Sequence, residues 1–571
     1  MKMLWGSLRH LLAEANRTHM VWCGAILLIM LILAVLYHSW KNDTEKLRLW
    51  RLLCLIPMIV CGVHAYLYVS GALMFLGGFL LMYVISILQL LPVPFAGRDI
   101  GYKISAVLTG ILSCLCGAYF CISSPNIFNH TRESYTDSFH SLVQDMDRTY
   151  VLKEWKEVDF HALEEKYMPL VEQAEKEQNP AKFAETIRMF SSELHDGHVA
   201  VDADFDSEKY TTIYDPHDYG FVTVKLDNGD VIAVCTDENV NKLGIEDGTI
   251  ITKWNGKPVL QAAEEDVPDL GESVKSNADT IAVMNLHLAG GDTVNVSFID
   301  SNGEEKTVTL SDKGGVESVF TAMALFRGLE PPVDMEKLLE NNFDTKMLDE
   351  KCGYLRVLEE DSDEYSYYAG YLMDDHSKTR EMFREKLNRL KAQGMKYLVI
   401  DIRNNMGDYD DIAIALCDLL TDQDWYGQGL GIRKDGKYFS TADHGVHGTG
   451  EFVDLQVVAL TNYDCASAGD GLSLYLSKLP NVTVAGMNDH SGCDQETGGV
   501  SVLSDGIVTV YYPTDLVLDE KNEPNIDTKS DRISRNPVEV HIPFDYEAAM
   551  KIFRDREDYE LNWAIKYLEN N

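Results

Sequence analysis

Ser467 is the residue whose surroundings most favour nucleophilic chemistry. It lies in TNYDCASAGD, residues 461–470, between an apolar run at 455–460 that predicts a buried strand and a run at 471–476 that predicts a helix. A serine at a sharp strand-to-helix turn exposes its hydroxyl, and the N–H groups of the first helical turn can stabilise an oxyanion. We therefore expect Ser467 to be a nucleophile and the N–H of Ala468 to face the substrate carbonyl. The alternative is that Ser467 only caps the helix, where serine is a favoured residue.

A second candidate, for proton transfer, is His198 in the segment LHDGH at 194–198. The preceding residues 180–194 predict a helix, and the glycine after it allows a sharp turn that holds the histidine in a fixed place. A histidine whose pKa is near neutrality can act as a general base. The alternative is an ordinary surface or packing histidine.

A third feature is the turn in YLVIDIRNNMGD, residues 397–408. An apolar strand runs directly into this turn, where Gly407 can present an unobstructed backbone N–H. Strands, turns and helices then alternate as far as Ser467, which predicts an α/β core with ligand chemistry at the strand ends. The turn lacks the pattern of a phosphate loop. The acidic runs at 359–364 and 408–411 lack the spacing of a calcium loop, so we interpret them as solvated loops.

The residues from 206 to 312 predict a β-rich domain. The segment LGIEDGTIITKWNGKPV at 243–259 predicts two strands joined by an Asn-Gly turn, and residues 293–298 alternate between polar and apolar. This block resembles a PDZ domain of the type found in bacterial proteases, which implies capture of a peptide C-terminus by strand addition. By that resemblance, the peptide carboxylate is received by the loop at Tyr219, Gly220 and Phe221. The alternative is a purely structural β domain.

The first 125 residues differ in character from the rest. Four long apolar runs predict transmembrane helices at 20–40, 52–70, 71–91 and 104–122. A cleavable signal peptide has one short apolar core, so we expect a retained multi-pass membrane domain, with a buried helix bundle as the alternative. Lys and Arg are in excess in the first and third loops. This bias predicts that those loops are cytoplasmic and that the large C-terminal part is extracytoplasmic.

Composition restricts the partners. A net charge of -40 over 571 residues argues against nucleic acid. The 11 cysteines show neither a CxxC pair nor metal-ligand spacing, so no metal site and no disulfide framework is predicted. Cys465 and Cys493 flank the Ser467 turn, and both a bridge and two separate buried thiols stay open. The predicted domains are a membrane domain (1–125), a helical segment (126–205), the PDZ-like domain (206–312) and an α/β core (313–571).

Four separated pieces occur in the order of one family. They are LHDGH, the PDZ-like block, DIRNNMGD at 401–408 and CASAGD at 465–470. From about residue 131 to the end, the chain resembles the C-terminal processing (tail-specific) serine peptidases, in particular the branch similar to the tricorn protease core. The resemblance implies an α/β core related to crotonase and ClpP. It also implies that Ser467 is the nucleophile and that the N–H groups of Ala468 and Gly407 form the oxyanion hole.

The chain departs from the family at the general base. The family's lysine, about twenty-five residues after the serine, falls on Gly492, and no lysine lies between 478 and 521. In the tricorn-like branch the base is a histidine, and His198 matches its position. Glu523 resembles the family's acidic residue that would orient the imidazole, and His490 is the rival base. Met406 and Asp408 replace the proline and second glycine of the family's turn.

The resemblance implies a membrane-anchored serine endopeptidase that acts on protein or peptide substrates through an acyl-enzyme, without metal or organic cofactor. Two other functions stay open. One is a membrane-anchored pseudoprotease that binds peptides through its PDZ-like domain. The other is a non-proteolytic receptor or transporter accessory, which the lack of charged residues within the apolar runs disfavours. The sequence does not predict the oligomeric state.

Overall fold

The computed structural model describes most of the chain after residue 125. The described residues are 28–29, 32–33, 35–40, 42–53, 56, 126–205, 216–361, 370 and 374–570.

The structure contradicts the predicted four-helix transmembrane region and the predicted multi-pass membrane location. Among the described residues, no helix combines the length and the apolar composition that a membrane span requires. Helix α1 (Thr44–Leu53) has 10 residues and carries Glu45, Lys46 and Arg48. At 1.5 Å per residue it is about 15 Å long, half the thickness of a bilayer's hydrocarbon core. The predicted spans at 71–91 and 104–122, and most of the other two, lie outside the described residues.

The segment after residue 125 is helical, as predicted. It contains β1 (Asn126–Asn129), α2 (Tyr135–Thr149), α3 (Phe160–Glu177), α4 (Pro180–Ser192) and β2 (Ala200–Ala203). Each helix begins at a side-chain cap: Ser134, Asp159 and Asn179 accept hydrogen bonds from N–H groups of the first turn. The apolar faces of α2 to α4 form one core with residues of two later strands, so this segment packs on the C-terminal part.

The β-rich unit follows. Its elements are β3 (Val222–Lys225), β4 (Val231–Val234), α5 (Glu238–Asn241), β5 (Ile251–Trp254), β6 (Lys257–Pro258), α6 (Val259–Asp266), α7 (Lys275–Met284), β7 (Thr293–Ile299) and β8 (Glu305–Ser311). β3 pairs with β4, and the other strands form a sheet in the order β6-β5-β7-β8. Helices α8 (Glu317–Phe326) and α9 (Met335–Leu339) then lead into the α/β core.

The centre of the α/β core is a mostly parallel sheet in the order β18-β15-β14-β11-β10-β9. Its strands are β9 (Thr345–Met347), β10 (Cys352–Arg356), β11 (Tyr397–Asp401), β14 (Gln456–Leu460), β15 (Val482–Gly486) and β18 (Val540–His541). The neighbours β11 and β14 are parallel, with Asp401 level with Leu460. Their carboxyl ends therefore meet at one edge, from which the turns to Gly407 and Ser467 begin.

Helices cover both faces of this sheet. They are α10 (Ser377–Ala392), α11 (Asp411–Leu420), α12 (Ala468–Ser477), α13 (Tyr546–Ala549) and α14 (Tyr559–Asn570). Leu398 and Ile400 pack towards the core that includes α10 to α12, whereas Val399 between them packs on the opposite face with α8 and α14. Burial on both faces explains the continuous apolar sequence of β11.

A second sheet adjoins this core in the order β1-β16-β17-β12-β13, with β2 paired to β17. Its long strands are β12 (Asp424–Lys434), β13 (Lys437–His447), β16 (Gln495–Val502) and β17 (Val508–Leu518). The parallel pairing of β1 with β16 and the antiparallel pairing of β2 with β17 attach the two ends of the helical segment to this sheet. Since β2 directly follows the LHDGH turn, this pairing positions His198.

Candidate active site

Ser467 stands in a strained turn between β14 and α12. Its backbone has φ 57° and ψ −133°, which a residue with a side chain rarely adopts. The Ser467 N–H donates to the carbonyl of Cys493 at 2.8 Å, and the Ala466 N–H donates to the carbonyl of Asn405 at 2.9 Å. The side chain of Ser467 makes no capping hydrogen bond to the helix. The hydroxyl is therefore not used as a helix cap, which was the alternative to a nucleophile.

Gly407 lies directly against the Ser467 turn. A Cβ at this position would be 2.7 Å from the Ala468 nitrogen and 2.7 Å from the Ser467 Cβ, and the glycine has φ +89°. Only glycine permits this approach. The Gly407 N–H donates to the Asn405 Oδ1 at 2.8 Å. Ala468 is the first residue of α12, where backbone N–H groups lack intrahelical acceptors. The backbone N–H groups of Gly407 and Ala468 thus flank Ser467, and that of Gly407 already donates a hydrogen bond to the Asn405 side chain.

His198 is held by the turn that follows α4. Its backbone N–H donates to the Asp196 Oδ1 at 3.0 Å, and the Tyr150 hydroxyl donates to the Asp196 Oδ2 at 2.7 Å. The Nδ1 of His198 is buried and has no hydrogen-bond partner among the described residues. Burial lowers the pKa of His198, and the Asp196 charge opposes this effect only in part. The imidazole is therefore neutral at physiological pH, the state that a general base requires.

A single cavity of about 630 Å³ joins these residues. Its lining includes Ser467, Ala468, Gly407 and His198. Four of the residues predicted from three distant stretches of sequence therefore line the same space. A cavity of this size lies within the usual range of ligand sites.

Another part of the cavity wall is acidic, and this acidic surface was not predicted from the sequence. It carries Glu359, Asp408, Asp410, Asp411 and Asp494. Burial, reinforced by Asp361 and Glu359, raises the pKa of Asp408 to about 6, and burial raises the pKa of Asp410 to about 6. Burial, followed by the charge of Asp410, holds the pKa of Asp494 well above its usual range. The interpretation of 408–411 as a solvated loop was incomplete, because Asp411 begins α11 and is buried.

Glu523 is not brought to the cavity. It is exposed in a turn in which its N–H donates to the Asp519 Oδ1 at 2.9 Å and its carbonyl accepts from the Asp519 N–H at 2.9 Å. His490 is also absent from the lining. It is fully buried, with Nδ1 2.8 Å from the Asn536 carbonyl oxygen and Nε2 in contact with the Ser473 hydroxyl. Neither residue lines the cavity that contains Ser467 and His198.

The position at which the resemblance places a lysine, Gly492, is closed. Gly492 has φ +74°, and a Cβ there would be 2.6 Å from Cγ2 of Val274 in the β-rich unit. Its N–H donates to the Asp470 Oδ2 at 2.7 Å. The cysteines on either side, Cys465 and Cys493, are free thiols and are buried. Of the two states that the sequence left open, the structure has separate thiols. The space beside the serine is filled by packing.

The loop predicted to receive a peptide carboxylate is buried within the β-rich unit. Tyr219 is 2% exposed, and its hydroxyl donates to the Gly291 carbonyl at 2.7 Å. The Gly220 N–H donates to the Asp218 Oδ1 at 2.7 Å, and Phe221 belongs to the same core. These three residues do not line the cavity that contains Ser467. Their carboxylate-binding role stays a prediction.

Two histidines on the cavity wall, His376 and His444, had no sequence signal. His376 precedes α10, and His444 lies in β13. With Asp374 they form a group whose ligand atoms all lie within 4.8 Å of one another. No metal site was predicted from the sequence, because neither the cysteines nor the acidic runs have ligand spacing. Asp374, His376 and His444 follow no motif, since the first and the last are about seventy positions apart.

Comparisons with known proteins agree with this architecture. Residues 351–530 match the family model of Peptidase family S41. No curated protein matches the chain. A crystal structure of a CPAF point mutant is 12% identical, with 77% of this chain and 98% of that chain covered and a TM-score of 0.52. Mature CPAF complexed with lactacystin is 12% identical over 77% of this chain and 99% of that chain, with a TM-score of 0.50.

These structural likenesses show the fold alone, because the identities are low. The tricorn protease gives a TM-score of 0.32, with 14% identity over 76% of this chain and 37% of that chain. That score is too low to support the tricorn-like branch. The family match, by contrast, contains both the Gly407 turn and the Ser467 turn.

Proposed function

Since residues 351–530 match Peptidase family S41 and form a serine-type peptidase domain, we propose that the protein is an endopeptidase that cuts protein substrates through an acyl-enzyme on Ser467. His198 is the general base, and the N–H groups of Ala468 and Gly407 stabilise the oxyanion. The observation that carries the proposal is the shared cavity: Ser467, Ala468, Gly407 and the neutral His198 line it together.

The reaction follows from these groups. The Ser467 Oγ attacks the scissile carbonyl carbon while His198 takes the hydroxyl proton, and the carbonyl oxygen becomes an oxyanion between the two N–H donors. Collapse of the tetrahedral intermediate breaks the C–N bond, and His198 returns the proton to the leaving amine. Water then attacks the ester, with His198 again as the base. The second product leaves as a carboxylic acid, and the serine is restored.

For this reaction, substrate binding must change the hydrogen bonding of the Gly407 N–H and of the His198 ring. The Gly407 N–H now donates to the Asn405 Oδ1 at 2.8 Å. To stabilise an oxyanion it must turn from the amide oxygen or be shared with it. Among the described residues, no group accepts or donates a hydrogen bond at the Nδ1 of His198 and so orients the ring. Catalytic hydrogen bonds are often completed only in the substrate complex, so both features are compatible with an active enzyme.

Reaction of the full-length protein with a fluorophosphonate tests the nucleophile and the base. Labelling is expected in the wild type, and it should be lost in Ser467→Ala and strongly slowed in His198→Ala. Ser530→Ala and His161→Ala are matched controls, because both residues are exposed and neither lines the cavity. Mass spectrometry after mixing with a peptide ester should detect an acyl group on the peptide that contains Ser467.

His490 provides a further control for the base. A folded His490→Gln protein should keep its labelling, because both ring nitrogens face Ser473 and Asn536. Loss of labelling in this variant with retention in His198→Ala would assign the base to His490 instead.

The second candidate is a pseudoprotease that binds peptides without cutting them. The engaged N–H of Gly407 and the unoriented imidazole favour it, since both leave the site short of a catalytic arrangement. A folded wild type that binds peptide in calorimetry, yet neither labels nor hydrolyses any member of a peptide library, would support this function over the first.

A further inference from the structure

We propose that Asp374, His376 and His444 form a binding site for a divalent transition-metal ion of the Zn²⁺ class on the wall of the Ser467 cavity. The proposal goes beyond the peptidase function, and it rests on the arrangement of these side chains and of the groups that hold them. His376 and His444 line the cavity, and Asp374 lies beside them.

The spacing of the ligand atoms is close to that of an occupied site. The Asp374 Oδ1 lies 3.2 Å from the His376 Nε2. Zinc bound at about 2.0–2.2 Å in a tetrahedron places neighbouring ligand atoms roughly 3.4 Å apart. Asp374 and His376 therefore already have the required separation. His444, whose ligand atom is within 4.8 Å of the others, needs a movement of about 1 Å, within reach of a side-chain rotation.

The ring of His376 is oriented as in metal sites. Its Nδ1 contacts the Asp411 Oδ1, and the other oxygen of Asp411 accepts from the Thr379 hydroxyl. A carboxylate that accepts the Nδ1–H of a histidine fixes the tautomer and leaves the Nε2 lone pair for a metal. In this protein the Nε2 of His376 faces the Asp374 Oδ1, and His444 is the third member of the same group. The contacts of Asp411 with His376 and Thr379 support the site independently of the spacing of the three ligand atoms.

The backbone at Gly370 lies close to His376 and Asp411. A Cβ at Gly370 would lie 2.9 Å from the Asp411 Oδ1 and 3.1 Å from the His376 Nδ1. Gly370 therefore lies directly against the His376–Asp411 pair, where a residue with a side chain would collide. His376 is 4% and His444 is 6% exposed, so the two imidazoles form a buried site on a cavity that solvent ions can enter.

The donor set selects the ion. Two imidazole nitrogens and one carboxylate oxygen suit zinc and related transition metals, whereas Mg²⁺ and Ca²⁺ prefer sites made of oxygen alone. The nearby carboxylates of Asp408, Asp410 and Asp411 make the surroundings electronegative, which attracts a cation. The competing arrangement is a structural ion pair in which His376 bridges Asp374 and Asp411 without a metal.

Zinc titration of the full-length protein, stripped with a chelator, tests the site. The wild type is expected to bind about one equivalent with high affinity. His444→Ala and Asp374→Asn should each weaken binding by more than about tenfold. Asp411→Asn should weaken it by about 10–100-fold, because an amide lacks the negative charge and has only one acceptor oxygen for the His376 Nδ1–H and the Thr379 hydroxyl. Co²⁺ in place of Zn²⁺ should give a visible spectrum typical of nitrogen and oxygen ligands, which Asp374→Asn alters.

The control variant is His541→Ala. His541 also pairs with a carboxylate, with its Nε2 2.9 Å from the Asp227 Oδ2, but at an exposed position outside the cavity lining. The His541→Ala protein should bind zinc as the wild type does. Thermal unfolding in the presence of chelator identifies any variant that fails to fold. Asp374→Asn should disturb the fold least, because Asp374 is only half-buried. Ser467→Ala should retain the zinc site, which separates this test from that of the peptidase.

Three results would overturn the proposal. They are wild-type zinc binding no tighter than that of folded His444→Ala, an unchanged affinity in Asp411→Asn, and displacement of zinc by equal concentrations of Mg²⁺. The first two would leave the metal-free ion pair as the role of His376. The third would assign the ion to the surrounding carboxylates.

Discussion

A Cβ on Gly407 would lie 2.7 Å from the backbone nitrogen of Ala468. The two proposed oxyanion donors are therefore packed so closely that the turn after β11 and the start of α12 can only approach through a glycine. Gly407→Ala should push these turns apart and lower kcat by about 10²–10³, the usual cost of one oxyanion donor. Steady-state hydrolysis of a peptide substrate measures the effect, and KM should change less than kcat.

Gly303→Ala is the matched control for this substitution. Gly303 has φ +80°, comparable with Gly407, but a Cβ there would meet nothing within 4 Å. It therefore reproduces the backbone strain without the collision. Equal losses of kcat in both variants would show that general destabilisation, rather than the distance between Gly407 and Ala468, causes the effect.

The pH dependence of the reaction should report His198. Burial lowers its pKa below the ordinary 6.5, and the base must be neutral to take the serine proton. The acid limb of kcat/KM is therefore expected to have its midpoint below pH 6.5, with full activity at neutral pH. A midpoint above 6.5 would contradict the assignment of His198.

The same shift affects stability. Between the lowered folded pKa and the unfolded value near 6.5, the unfolded chain binds more protons at His198 than the folded chain does. The free energy of unfolding therefore rises with pH across that window and levels off above it. His198→Gln should remove this part of the pH dependence, as measured by urea unfolding at several pH values, whereas His161→Gln, at an exposed position, should leave it in place.

Local sequence signals were sufficient for the elements that carry the proposed chemistry. The apolar strand before each turn and the helix after Ser467 are present as expected. Gly407 lies in the predicted turn, and its φ of +89° is a finding of the structure. Parallel pairing of β11 with β14 then brings Gly407 and Ser467 to one edge. His198 reaches the same cavity through the pairing of β2 with β17, which the sequence does not reveal.

Residues whose position depends on distant packing could not be predicted. His444 comes to the cavity on the long hairpin of β12 and β13. The Asp435-Gly436 turn is a local signal for the hairpin, but it does not show which residues of the hairpin reach the cavity. Glu523 was chosen by resemblance, but its turn closes on Asp519 at the surface. The membrane prediction relied on apolar runs, but no helix among the described residues is long and apolar enough to cross a bilayer.

A buried ion network holds the turn that leads to Gly407. Arg403 is 4% exposed and donates to Asp401 at 2.7 Å and to Asp558 at 2.8 Å. Removal of one partner leaves buried charges uncompensated, so Arg403→Met should destabilise the fold by about 3–5 kcal/mol. A shift of the urea midpoint measures this cost. Arg403→Lys should not rescue it, because an ammonium cannot form the planar two-pronged contact.

The control for Arg403 is Arg389→Met on the exposed face of α10. Its effect should be within about 0.5 kcal/mol of the wild type. An Arg403→Met shift as small as that of Arg389→Met would show that the buried network does not stabilise this turn.

The closeness of Gly492 to Val274 predicts that a lysine does not fit at the position where the resemblance places the general base. A Cβ at 492 would be 2.6 Å from the Val274 Cγ2, and the backbone there has φ +74°. Gly492→Lys should therefore destabilise the protein without creating a Ser/Lys dyad. In Gly492→Ala, the added Val274→Ala change should relieve the collision and recover about 0.5–3 kcal/mol relative to the sum of the single changes. Strictly additive effects in urea unfolding would instead assign the cost to the positive φ alone, and a faster fluorophosphonate reaction in Gly492→Lys would show that the serine can accept a lysine base after all.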